Sequence, residues 1–166
     1  MVLEYSLIAL LSPLVGGVMA GFFGKSMGKI FVNASTILGV TISFIFSCML
    51  AMDLYQTSAV FNQNLYTWID IGTFTFHIGL LIDNLTASMM VVVTFVSLMV
   101  HIYTIGYMHD DPGYHRFFAY ISLFTFSMLS LVMSNNFLQL FFGWEAVGVM
   151  SYLLIGFWYT KESAIK

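Results

Sequence analysis

FFGWEAVGVMSYLLIGFW, residues 141–158, carries one charged side chain, Glu145, in a stretch otherwise fit for the inside of a membrane. The carboxylate stands beside Trp144, and hydrophobic residues continue on both sides. The whole chain shares this character. Of its 166 residues, 60% are hydrophobic and only 8% charged, and the mean hydropathy is +0.92. A soluble domain carries about 25% charged residues, so the composition places the chain in a membrane. The net charge of -3 and the lack of any basic run argue against a nucleic-acid partner. The single cysteine, Cys48, excludes an intramolecular disulfide and reads as a small buried hydrophobe. Residues 1–23 have no basic n-region. Their lysines, Lys25 and Lys29, follow the apolar run, as in a first transmembrane helix rather than a cleaved signal.

A bilayer core about 30 Å thick needs about 20 apolar residues in a helix. Five segments meet that need: 5–24, 30–52, 85–108, 117–133 and 137–158. The expectation is one all-α, polytopic membrane domain. Pro13, inside the first span, removes a backbone hydrogen bond and predicts a bend there. With five spans, Lys25, Lys29, Arg116, Lys161 and Lys166 all fall on one side. Basic short loops stay on the cytoplasmic side, so the N-terminus is expected outside. Between spans two and three lies a long segment without Lys or Arg. Within it, WIDIGTFTFHIGLLI (68–82) sets Thr73, Thr75 and His77 in alternation with Phe74, Phe76 and Ile78. That period of two predicts a short β-hairpin on the outer surface. Asp83 and Asn84 are placed to cap the third span.

Counted from Phe137, Glu145 stands nine residues into its span, roughly 12 Å below the outer end at 1.5 Å per residue. An acidic residue near a helix centre costs about 2.5–3.5 kcal/mol to insert. Residues of that cost pair with another group, face a bundle interior and mark ion or proton paths. A carboxylic acid in apolar surroundings keeps its proton, and a nearby cation makes it let go. A group set between those effects loads and unloads protons; the plainer alternative is a glutamate bonded to a neighbouring helix. The five Lys and Arg residues all lie at the inner side. Either a histidine pairs with Glu145 or its partner lies on other sequence. His101 is the local candidate, because Thr94, Ser97, His101 and Thr104 recur at helical spacing as one polar stripe. Asp83 sits at the outer end of roughly the same face. Tyr152, seven residues after Glu145, shares its face two turns on. Asp83, His101 and Tyr152 are therefore the second set of candidate proton-path residues. His77, His109 and His115, with Asp110 and Asp111, read as solvated surface groups, and no metal site is expected. No P-loop, haem or dinucleotide motif occurs.

Three segments carry a resemblance: LLIDNLTASMM (80–90), GYHRFFAYISLF (113–124) and NNFLQLFFGWEAVGVMSYLLIGFWY (135–159). They resemble the large antiporter-like membrane subunits of respiratory NADH–quinone oxidoreductase, complex I. The resemblance covers essentially the whole chain and is weakest over the first fifty residues. It implies a proton-translocating subunit, driven by NADH oxidation and quinone reduction elsewhere, with Glu145 at the family's channel glutamate. It also implies a lysine partner on a later helix, a chain that continues past Lys166, and a hairpin that straps neighbouring membrane subunits together. NAD, flavin, iron–sulfur clusters and quinone would belong to partner subunits, with no cofactor in this chain. The location implied is the bacterial inner membrane, or the mitochondrial inner membrane for an organellar protein. Multi-subunit cation/proton antiporters share the fold and the glutamate and remain the alternative.

Overall fold

The computed structural model describes residues 1–57, 59–72 and 75–159. Five long helices and one hairpin account for most of them. Helix α1 spans Val2–Met27 and α2 spans Lys29–Thr57, joined by a tight turn at Gly28. Strands β1, Phe61–Asp70, and β2, Thr75–Ile82, pair antiparallel. Helix α3 spans Asn84–Tyr107, α4 Tyr114–Val132 and α5 Phe137–Ile155, the last followed by a 3-10 turn over Gly156–Trp158. All five helices are long and apolar enough to cross a membrane. They match the five expected spans to within a turn or so at each end, with α2 the longest overrun. Pro13 lies inside an unbroken α1. Having no N–H, it leaves the carbonyl of Ala9 without its helical donor. The Ser43 hydroxyl of α2 donates to that carbonyl at 2.6 Å, so the defect becomes an interhelical bond.

The hairpin occupies the expected place but starts earlier. β1 begins at Phe61, seven residues before the predicted segment. Asn62, Gln63 and Asn64 hide it, because amides are poor strand formers. Register shifts between Asn64 and Tyr66, and again between Thr67 and Ile69, interrupt the alternation. On β2, Phe76, Leu80 and Ile82 turn inward and are buried, while Ile78 stays 38% exposed. Thr73 and Phe74, the first residues of the expected alternation, lie outside the described residues, as does the tail with Lys161 and Lys166.

Helix α4 is the hub, packing against α1, α2, α3 and α5. The interior is layered along the helices. An outer apolar cluster gathers Ala9, Leu50, Leu54, Met90, Leu129 and Met133 beneath Leu80 and Ile82 of the hairpin. An inner cluster gathers Ala20, Val32, Met108, Tyr114 and Phe118. Between them, on α2, α3 and α4, come buried polar residues: Thr36, Ser43, Ser47, Thr94, Ser97, His101, Ser122 and Thr125. Lipid offers helices no hydrophobic drive to associate, so small side chains and interhelical hydrogen bonds hold this layer.

The two ends are distinct. Lys29 at the start of α2 donates to the carbonyl of His109 in the α3–α4 loop, and Trp158 Nε1 donates to Asp111 Oδ2 at 2.8 Å. Lys25, Lys29 and Arg116 therefore sit at one end of the bundle. The hairpin sits at the other, where Leu81 N–H donates to Met133 O at 3.0 Å.

Candidate functional site

Glu145 occurs where the fold is least closed. Of α5's residues only Gly143 is buried. A Cβ there would lie 2.9 Å from Leu131 Cα, so the glycine lets α5 lie directly on the backbone of α4. Two residues further on, about 200° around a helix of 3.6 residues per turn, Glu145 faces away from α4. It is exposed, and among the described residues it makes no hydrogen bond or ion pair. Phe141, Val149 and Tyr152 flank it on the same face at 52%, 52% and 76% exposure. The sequence placed Glu145 within a bundle interior. In this chain it faces outward, because the other four helices close on one another and α5 presents them its glycine side.

Asn136 caps α5, its Oδ1 accepting from Gln139 N–H at 2.8 Å. Asp83 caps α3 in the same way, as expected, with Oδ1 accepting from Thr86 N–H at 2.7 Å. That donated hydrogen bond holds the Asp83 carboxyl below the usual carboxylate range, against the opposing effect of partial burial.

His101 is fully buried at the α3–α4 seam. Its Nδ1 lies 2.8 Å from the carbonyl of Ser97, and its Nε2 lies 3.0 Å from Ser122 Oγ. A carbonyl can only accept, so Nδ1 carries the hydrogen. In the neutral ring Nε2 then accepts from the Ser122 hydroxyl. A parallel chain runs beside it. Thr125 Oγ1 donates to Ile121 O at 2.9 Å and receives Ser97 Oγ at 2.5 Å. Both chains end on backbone carbonyls, so the seam is closed with respect to donors. The expected polar stripe is present: Thr94, Ser97, His101 and Thr104 are all buried on one face of α3.

His101 and Glu145 are not brought together. Both ring nitrogens of His101 are committed within the seam, and Glu145 lies on the far side of α5. The described residues give Glu145 no histidine partner. Asp83 stands apart from both at the outer end, and only Tyr152 shares the Glu145 face. An open apolar groove of about 600 Å³ runs between α3 and the end of α5 over α4. Its polar lining is Ser97 and Thr125, so the seam reaches the surface there.

One contributor was not singled out from sequence. Gln139, in the first turn of α5, pairs its amide with Gly79 of the hairpin in both directions: Gly79 N–H to Oε1 at 3.0 Å and Nε2 to Gly79 O at 2.9 Å. The available signal was an amide six residues ahead of the only acidic residue in an apolar helix.

Comparison with known proteins agrees with the motif resemblance. Residues 68–118 match a family described as NADH-ubiquinone oxidoreductase (complex I), chain 5 N-terminus. Residues 134–166, which include Glu145, match one described as NADH:quinone oxidoreductase/Mrp antiporter, TM. NADH-quinone oxidoreductase subunit L of Neisseria meningitidis is 58% identical over 162 residues, covering 96% of this chain and 24% of that protein. NADH-ubiquinone oxidoreductase chain 5 of Dictyostelium discoideum is 42% identical over 160 residues, with 96% and 24% covered. The chain 5 protein of Marchantia polymorpha is 46% identical over 162 residues, with 98% and 24% covered. The chain thus spans about a quarter of the length of the curated relatives it matches. Over that quarter, it belongs to the antiporter-like family of membrane proteins that includes subunit L and chain 5 of NADH–quinone oxidoreductase.

Proposed function

We propose that the protein to which these residues belong carries protons across the membrane as a subunit of NADH–quinone oxidoreductase, and that Glu145 takes up and releases the proton. The observation that carries this reading is the placement of Glu145. It is the one acidic side chain in an apolar helix, near mid-depth, on the face that the other four helices leave open. A carboxylate left facing lipid is costly. The relatives are about four times as long as this chain, so they have further sequence to cover the α5 face. A cation brought to Glu145 from that sequence would draw off its proton, and its withdrawal would return one. Tyr152, on the same face, comes next in the path. His101 and Asp83 rank below it, since each is spent on a structural bond.

In this reading the chain holds no redox group. NAD, flavin, iron–sulfur clusters and quinone belong to partner subunits, and the other membrane subunits and the lipid are its neighbours. The end bearing Lys25, Lys29 and Arg116 faces the cytoplasm, or the matrix in an organelle, following the positive-inside bias. A second reading, a subunit of a cation/proton antiporter, is favoured by the family description that joins the two classes.

The test uses membranes carrying the full-length subunit with Glu145→Gln, in which NADH-driven quinone reduction and the proton gradient are recorded together. A sharp fall in pumping, with the complex still assembled, supports the proposal. Wild-type values for both make the glutamate structural. Sodium-driven proton exchange that needs no NADH and is lost in the variant selects the antiporter.

A further inference from the structure

The edge of β2 that faces away from β1 is met at His77, Gly79 and Leu81 by the end of α4 and the cap and first turn of α5. In an antiparallel strand the N–H and C=O of one residue point to the same side. His77, Gly79 and Leu81 point theirs away from β1. Leu81 N–H donates to Met133 O at 3.0 Å, and His77 O accepts from Asn136 Nδ2 at 2.9 Å. Between them Gly79 exchanges two hydrogen bonds with the Gln139 amide, at 3.0 and 2.9 Å. The side chain thus takes the place of a peptide group in a third strand. A Cβ at Gly79 would lie 2.2 Å from Asn135 Nδ2, so a larger residue there would push the Asn135 amide away from Asn62 and Asn64. The ring of Trp68 on β1 meets Phe142 of α5 edge-on, 5.8 Å between centroids. This adds an apolar contact one turn below Gln139.

Among the described residues the outer half of α5 is held by the close contact of Gly143 with Leu131 of α4 and by these bonds of its first turn to the hairpin. The orientation of Glu145 therefore depends in part on where the first turn is anchored. Gln139 is six residues earlier, roughly 9 Å along the axis.

We propose that Gln139, through its double hydrogen bond to the backbone of Gly79, is a positioning residue for Glu145. The hairpin edge sets the rotation and depth of α5, and thereby the direction in which the carboxylate points. This inference rests on the proposed role of Glu145 only for its consequence in pumping; the geometric claim stands by itself. A side chain six residues from the chemistry matters because small misplacements of a reacting group cost rate steeply.

The experiment uses the full-length subunit in its assembled complex, with Gln139→Met and Gln139→Asn. The first keeps the volume and removes both bonds. The second keeps the amide but is one methylene too short to close the clamp. The readouts are proton translocation per quinone reduced and the infrared carboxyl band of Glu145, assigned by its loss in Glu145→Gln. Both variants are expected to shift or broaden that band and to lower translocation several-fold. On a Glu145→Gln background they are expected to add nothing. A wild-type band and wild-type pumping in both variants overturn the proposal. If Gln139→Met does not assemble, Gln139→Asn decides alone, because its amide is tolerated at the outer surface. If the band moves but Glu145→Gln itself pumps normally, the clamp stands and the proton role of Glu145 fails.

Discussion

His101 and Glu145 lie on neighbouring parts of the same bundle and are handled in opposite ways. His101 is buried where α3 meets α4, and each ring nitrogen has a named partner. Glu145 is exposed on α5, and no described residue answers it. The polar layer of α2 to α4 is complete on its own terms, with hydroxyl hydrogens spent on carbonyls, on one another or on the His101 ring. Helix α5 is complete only at its two ends, on the hairpin and on the inner loop. A polar group that finds its bonds inside these residues is placed to stabilise them, and Glu145, which finds none among the described residues, is the one to which the proposed function assigns the proton.

The largest effect is expected where α5 is lifted off α4. Gly143→Val places side-chain atoms where a Cβ alone would be 2.9 Å from Leu131 Cα. Overpacking of this kind costs about 1–3 kcal/mol, and more where the clash is with backbone. The expected outcome is loss of assembled complex in the membrane, measured by native gel, with any assembled remainder pumping poorly.

The seam should respond next. His101→Leu leaves the Ser122 hydroxyl buried without its partner, a penalty of about 1–3 kcal/mol, while the Ser97 carbonyl keeps its helical N–H donor from residue 101. Adding Ser122→Ala removes the stranded group, so the double variant should recover part of the loss. Unfolding of the purified complex in detergent measures both. If His101→Leu is as stable as wild type but pumps no protons, His101 belongs to the proton path rather than to the seam.

Asp83 follows, with an effect that depends on pH. Removing an N-cap costs about 1 kcal/mol, so Asp83→Ala should fray the first turn of α3. The sign comes from linkage. The Thr86 N–H holds the folded carboxyl below its unfolded value, so the contribution is present above about pH 4, the ordinary aspartate range. It is lost as the pH falls through the folded value. Asp83→Asn caps without titrating. Hydrogen exchange at the start of α3 should therefore lose protection in acid in the natural protein and keep it in Asp83→Asn.

The sequence made the spans legible because lipid imposes one rule on every helix, an apolar run of sufficient length. Five such runs are plain in these residues. The α3 stripe was legible too, from its spacing. Its partners Ser122 and Thr125 keep the same spacing on α4 but are buried among phenylalanines, where hydroxyls pass as filler. The start of β1 was not legible, because Asn62, Gln63 and Asn64 lack strand character. They are used instead to reach Asn135, whose Nδ2 donates to Asn62 at 3.1 Å and to Asn64 at 2.8 Å. The direction of Glu145 was not legible either. A sequence gives the angle between two residues on a helix but not the angle of the helix to its neighbours. That angle depends on Gly143, which carries no side chain to advertise it, and on Gln139, whose partner is a backbone sixty residues away.

Tyr152 should show the smallest effect on stability. It is 76% exposed, so Tyr152→Phe removes a hydroxyl that bonds to nothing among the described residues. Exposed substitutions of this sort change stability by no more than about 0.5 kcal/mol, and detergent unfolding should read no change. Pumping is a separate matter. If the face shared by Tyr152 and Glu145 is a proton path, losing the hydroxyl slows translocation without affecting assembly, and Tyr152→Phe sorts with Glu145→Gln in kind though not in size. If pumping is untouched, the face narrows to the carboxylate alone, and the path must leave Glu145 toward sequence outside these residues rather than along α5.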